Sequence, residues 1–116
     1  METIWQQAEG LKDEMVARRR DLHQHPETGW TEFRTSCMII KELQKLGYDV
    51  AFGADVIDEK SMMGVPSAAD LEGYMQRAIS EGADAELVKK MAGGKTGIVA
   101  TLKSEHPGKT VAFRFD

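Results

Sequence analysis

Two histidines and a carboxylate stand within five residues in His23-Gln24-His25-Pro26-Glu27, and imidazole and carboxylate are both zinc ligand types. Residues two apart point to different sides of a helix but share one face of a strand. The residues leading into His23 have helical periodicity, so the pair does not converge on one ion while that helix continues. The competing reading is structural: the histidines end a helix, meet its last carbonyls and pack against the following turn. Asp116 is a second candidate. An acid at the end of a buried strand is a common catalytic or metal-binding position in α/β enzymes, because strand ends open onto the crevice of the sheet. It reads equally as an exposed terminus.

Other chemical signals are weaker. Ala92-Gly93-Gly94-Lys95-Thr96 resembles a phosphate-binding loop, but Lys89 stands where the first glycine belongs. That loop also needs a strand before it and a helix after it, and the expected order here is reversed. Arg18-Arg19-Arg20 is flanked by Asp13, Glu14 and Asp21, which suits a solvated helix face. Cys37, the single cysteine, lies on an apolar helical stripe and reads as a small core residue. His106 falls in a turn.

The elements that must position these groups follow from periodicity. Ile4, Ala8, Leu11, Met15 and Leu22 trace one helix face from Ile4 to Leu22. Pro26 disfavours helical geometry at His25 and should end it. A second helix is expected over Thr31–Leu46, with Phe33, Cys37, Ile40 and Leu43 or Gln44 inward and Gly47 at its C-terminal cap. Tyr48, Val50 and Phe52 alternate with Asp49 and Ala51 as in a half-buried strand. Residues 53–94 read as a mainly helical insertion outside the sheet. Ser67 should cap a helix carrying Leu71, Tyr74, Met75, Ala78 and Ile79, and Asp84 a shorter one carrying Leu87, Val88 and Met91. Gly93 is expected in a left-handed or otherwise non-helical cap. Ile98–Leu102 and Val111–Phe115 then alternate around His106-Pro107-Gly108, which predicts a β-hairpin.

At 116 residues the chain is one domain's worth at most. With 41% apolar and 29% charged residues it is neither a disordered tail nor a membrane protein. No stretch approaches the ~20 apolar residues of a membrane span, and METIWQQAEG lacks the apolar core of a signal peptide. A net charge of −4 argues against a nucleic-acid partner, and one cysteine excludes an intramolecular disulfide. A cytoplasmic location is the expectation. The last apolar strand runs into Asp116 without a polar tail, which reads as a fragment.

Several segments, in order, carry a resemblance: Arg19-Arg20-Asp21-Leu22-His23-Gln24-His25-Pro26-Glu27-Thr28-Gly29, then Glu32-Phe33-Arg34-Thr35-Ser36 and Leu46-Gly47-Tyr48. Thr96-Gly97-Ile98-Val99-Ala100-Thr101-Leu102, Pro107-Gly108 and Val111-Ala112-Phe113-Arg114-Phe115-Asp116 continue it. Together they resemble the N-terminus of the di-metal amidohydrolases related to aminoacylase, hippurate hydrolase and the auxin-conjugate hydrolases. Met63-Gly64-Val65-Pro66, Glu81-Gly82-Ala83-Asp84 and Met91-Ala92-Gly93-Gly94 resemble the p-aminobenzoyl-glutamate hydrolase branch of that family.

The resemblance implies an α/β fold, the N-terminal segment of a zinc-exopeptidase-like (phosphorylase/hydrolase-like) catalytic domain. It implies cleavage of the amide of an N-acyl amino acid. Two divalent ions, zinc or manganese, would polarise the carbonyl and activate water. The family's glutamate base, its His-Ala-Cys-Gly-His-Asp-like motif and its smaller dimerisation domain have no counterpart in these residues. Asp116 alone matches, as the first acid of an Asp-x-Asp pair. It stands as the one catalytic candidate, with no metal or cofactor ligand assigned to this chain. The expected partners are a small N-acyl amino acid and further subunits, homo- or hetero-oligomeric, with neither nucleic acid nor membrane. The alternative is a non-catalytic α/β module that binds a partner or small ligand.

Overall fold

The computed structural model describes residues 1–116. Its organising element is the third helix, α3 (Phe33–Lys45), whose inner positions Phe33, Ser36, Cys37 and Ile40 are all buried. Their three- and four-residue spacing places them on one stripe, and everything else in the core packs on it. Gly47 and Tyr48 close its end: their N–H groups donate to the carbonyls of Gln44 and Leu43, both at 3.0 Å. That is the Schellman pairing a glycine makes possible after a helix, and Gly47 has φ +87°.

Two further helices complete the helical layer. α4 (Ala68–Ser80) buries Leu71, Met75 and Ala78, and α5 (Ala85–Lys90) buries Val88. Both begin where the sequence predicts. The Ser67 hydroxyl accepts from the N–H of Asp70, and the Asp84 carboxylate accepts from those of Glu86 and Leu87. At Ser67 the box is not reciprocal, since the Asp70 carboxylate turns to the Ser67 hydroxyl at 2.7 Å. Between the first strand and α4 lie only two short 3₁₀ turns, Gly53–Asp55 and Glu59–Ser61. Gly93, beyond α5, has φ +82°, the left-handed conformation expected of it.

The sheet has two antiparallel strands, β1 (Asp49–Phe52) and β2 (Ile98–Thr101). Val50 faces Ala100 and Phe52 faces Ile98. Val50, Phe52 and Ile98 lie against the core that Phe33, Cys37, Ile40, Leu71, Met75, Ala78, Val88 and Met91 form. α3 is thus sandwiched between the sheet and the α4–α5 pair.

Two expectations are corrected. The single helix over Ile4–Leu22 is two, α1 (Ile4–Gly10) and α2 (Lys12–Gln24), separated at Leu11. Glycine is a poor helix residue, and after Gly10 the Leu11 N–H bonds Ala8 three residues back rather than four. The apolar face of these helices is also not a core face, for neither helix buries a residue. The β-hairpin is the second correction. β2 pairs with β1, and residues 111–115 form no strand. Val111, Phe113 and Phe115 are 71%, 79% and 86% exposed. The physical reason is that α3, α4, α5 and the inner face of the sheet close the core without them, and β1 rather than residues 111–115 takes the place beside β2. Their alternation is real but unused within this chain.

Candidate functional site

The His23–Glu27 stretch lies where α2 gives way to α3. Pro26 acts as predicted: His25 leaves helical geometry at φ −125°, ψ 60°, and its N–H still reaches the Leu22 carbonyl. The His25 Nδ1 lies 2.8 Å from the carbonyl oxygen of Asp21. A carbonyl can only accept, so Nδ1 carries the proton. The histidine therefore closes its own helix end, as the structural reading anticipated. His23 is exposed on the last turn.

Glu27 turns the other way. Its carboxylate accepts from the backbone N–H of Arg34 (2.8 Å), the N–H of Thr35 (2.8 Å) and the Thr35 hydroxyl (2.7 Å). Those amides belong to the first turn of α3, where free N–H groups and the helix dipole favour an anion. Glu27 is thus a helix cap supplied from outside the helix. Beside it, Thr31 Oγ1 donates to the Thr28 carbonyl at 2.8 Å and holds the turn 28–31.

Arg34 ties these parts to the rest of the molecule. Its Nη1 and Nη2 grip the two oxygens of Asp21 at 2.8 and 2.9 Å, and its Nε donates to the Glu81 carbonyl at 3.1 Å. The fork geometry of guanidinium and carboxylate makes this a strong, oriented contact. The guanidinium holds the Asp21 carboxyl below the usual carboxylate range, chiefly by hydrogen bonding. One side chain thereby joins α2, α3 and the end of α4. A third link is made at the sheet: Thr96 donates its hydroxyl to Glu32 at 2.8 Å, and Ser36 donates to the Thr96 carbonyl at 2.8 Å.

Between α3 and the α4–α5 corner lies a shallow cleft of about 190 Å³, lined by Arg34, Cys37, Met38, Lys41, Gly82, Ala83 and Asp84. Its charges are already matched. Lys41 Nζ lies 3.1 Å from the Asp84 carboxylate, and Arg34 is engaged as described. Burial pushes the Cys37 thiol up to about 11, so it is a neutral core group at neutral pH rather than a nucleophile.

Asp116 is exposed and pairs with its neighbour Arg114 at 2.7 Å. His106 is exposed on the segment after β2, its backbone N–H donating to Ser104 Oγ at 3.1 Å. Lys95 of the glycine-rich stretch bridges to Glu59 at 3.3 Å, and Arg18 to Glu42 at 3.0 Å. His23, His25 and Glu27 are not brought together on a common point, and no three His, Cys, Asp or Glu side chains form a group able to hold a metal ion. A catalytic zinc takes about three protein ligands, and no such group is assembled within these residues. Sequence reasoning missed the roles of Arg34 and Glu27. Glu27 carried a signal, an acid shortly before a helix start; the Asp21–Arg34 pair, thirteen residues apart, carried none.

The chain matches known proteins along most of its length. It is 46% identical over 106 residues to an indole-3-acetyl-aspartic acid hydrolase of Enterobacter agglomerans, covering 91% of this chain and 24% of that protein. It is 42% identical over 116 residues to one of the subunits of p-aminobenzoyl-glutamate hydrolase from Escherichia coli, covering 100% of this chain and 27% of that protein. Its backbone superposes on a crystal structure of an aminobenzoyl-glutamate utilization protein from Klebsiella pneumoniae with a TM-score of 0.82 and 42% identity. That match covers 86% of this chain and 25% of the other. The chain is similar to one part of each of these proteins. It spans about a quarter of their length. No family model matches it. The α/β arrangement of this chain accordingly matches a part of that aminobenzoyl-glutamate utilization protein. The segments Arg19–Gly29 and Glu32–Ser36, which carry the resemblance, hold the joints of α2, α3 and β2.

Proposed function

We propose that this chain is the N-terminal part of the catalytic domain of a metal-dependent amidohydrolase that cleaves N-acyl amino acids such as p-aminobenzoyl-glutamate. The observation that carries the reading is the 42% identity with the Escherichia coli p-aminobenzoyl-glutamate hydrolase protein along all 116 residues. The backbone match to an aminobenzoyl-glutamate utilization protein supports it independently of motif choice. Two divalent ions, zinc or manganese, belong to this proposal for the whole protein, as do a cytoplasmic location and an oligomeric state. No helix of the chain is long and apolar enough to cross a membrane. That the Escherichia coli relative is named as one of several subunits favours an assembly.

The contribution of these residues is positional. Glu27 fixes the start of α3, Arg34 fixes α2 and α4 to it, and Thr96 fixes the entry to β2. The donors of this chain do not converge on one point. Metal-bearing residues and the base lie elsewhere in the whole protein on this reading, and the isolated 116 residues are inactive.

The test compares the complete gene product with residues 1–116, each supplied with zinc or manganese. Release of p-aminobenzoate and glutamate from p-aminobenzoyl-glutamate is followed, with indole-3-acetyl-aspartate as a competing substrate. Hydrolysis by the complete product and none by residues 1–116 is expected. A complete product inactive on every N-acyl amino acid tried would overturn the amidohydrolase reading and leave a binding module. Turnover by residues 1–116 would show that the chemistry is not elsewhere.

A further inference from the structure

Trp30 is the one non-glycine residue with a left-handed backbone, at φ +67°. Such a conformation is costly for a bulky side chain and persists only where surrounding contacts over-determine it. Three contacts do so. The indole Nε1–H donates to the Met63 carbonyl at 2.8 Å, a partner 33 residues away. The Thr31 N–H closes the turn onto the Thr28 carbonyl at 2.9 Å. Gly94 packs so closely that an added Cβ would lie 2.9 Å from the Trp30 carbonyl oxygen and 3.1 Å from its Cβ.

The segment that Trp30 reaches, residues 58–66, has little else to hold it. Asp58 to Ser61 and Met63 to Val65 are exposed. None of its apolar residues belongs to the core or packs on it. Its remaining tie across the fold is the Lys95–Glu59 ion pair at 3.3 Å, with the Glu59 side chain 79% exposed. Lys95 is 18% exposed, so the pair is sheltered on the core side and open to water on the strap side, where solvent weakens it. Upstream, Ile57 lies over Gly97 at the entry to β2, where a Cβ on the glycine would meet the Ile57 Cδ1 at 2.6 Å.

We propose that residues 58–66 form a strap and that Trp30 is its latch, a local two-state device that opens without unfolding the α3–α5 core. In the closed state the indole hydrogen bond offsets the strain in the Trp30 backbone. On opening, the bond is lost and the Trp30 backbone is freed to relieve its strain. The two effects oppose one another, which keeps the states close in free energy. Because Trp30 also abuts Gly94, the α2–α3 turn and the α5–β2 connection sense whether the strap is closed. This device stands whether or not the amidohydrolase reading is correct, and its test involves no substrate.

Hydrogen exchange tests it on the complete chain. The Trp30 indole N–H and the Ser61 and Met62 amides should exchange together. They should be slower than the indole N–H of Trp5, which is 84% exposed, and faster than the Ile40 amide in α3. Trp30→Phe keeps a ring and removes the donor. It should speed exchange across residues 58–66 by about two- to tenfold, the worth of one hydrogen bond, while peptides of α3 and α4 keep their rates. Two results would overturn the proposal: a Trp30 indole exchanging as fast as Trp5, or exchange only at the rate of the Ile40 amide. The first means no latch, and the second means no separate opening. Should Trp30→Phe fail to fold, the unsubstituted chain alone still decides between these outcomes.

Discussion

Cys37 and Asp21 show how one type of chemistry is disabled and another enlisted by surroundings. Cys37 is 3% exposed and burial pushes its thiol up to about 11. A disulfide reagent at pH 8 should therefore label it at a rate set by opening of the fold, and immediately in urea. Labelling of the folded chain as fast as that of the unfolded chain would remove Cys37 from the core. Asp21 has the opposite shift, lowered by hydrogen bonding to Arg34. A carboxyl that is more acidic folded than unfolded contributes stability above its unfolded value, about 3.9. That contribution is lost as pH falls through the lower, folded value. The urea midpoint should thus be insensitive to Asp21 protonation from pH 7 to about 5 and fall below about 4. Asp21→Asn should lower the midpoint at pH 7 and flatten the acid limb. An unaltered acid limb would mean that Asp21 and Arg34 are not coupled in solution.

Among the elements, what was legible in the sequence is what is encoded within a few residues. Ser67, Asp84 and Gly47 act on amides and carbonyls two or three positions away and Pro26 on the backbone of the residue before it, and each starts or ends a helix where expected. The periodicity of Phe33, Cys37 and Ile40 reported the buried face of α3 for the same reason. Partners far along the chain were not legible. Nothing near Val50 specifies Ala100 across the sheet, and a turn signal at His106-Pro107-Gly108 predicted the wrong strand pair. The candidate site shows the same division: the helix-ending role of His25 was local and foreseen, whereas the Arg34 fork to Asp21 was neither. Glu27→Ala should cost about 1 kcal/mol, as loss of a helix cap does, read as a lower urea midpoint. Glu27→Gln should recover only part of it. Gly93 and Gly94 offer a controlled comparison, with φ +82° and +80°. A Cβ at Gly93 meets nothing closer than the flexible Lys95 Nζ at 3.7 Å, so Gly93→Ala should cost only strain, about 1–2 kcal/mol. Gly94→Ala adds a clash with the Trp30 backbone and should cost more. Equal losses would refute the close approach.

For the whole molecule, shape and burial agree. The radius of gyration is 16.2 Å, above the ~13 Å of a compact chain of this length, because α1 and the segment after β2 project from the core. Both projections carry exposed apolar side chains: Ile4 and Trp5 at one, Val111, Phe113 and Phe115 at the other. Exposed apolar surface of this kind promotes association. Residues 1–116 in isolation should therefore sediment with an apparent mass that rises with concentration. Replacing Phe113 and Phe115 by Lys should suppress that rise without changing the melting temperature, because neither touches the core. A monomer at every concentration would show that these segments are not adhesive.

The pairing of β1 with β2 also bears on time. Phe52 and Ile98 meet only after the chain has closed a loop holding both α4 and α5. Four residue pairs are a small return on that closure, and contacts between distant segments slow folding. The helices, whose contacts with α3 bury most of the core, must dock before the ladder gains anything. The sheet is then a late event. Val99, on its outer face, should be a residue whose substitution accelerates unfolding and leaves the refolding rate unchanged.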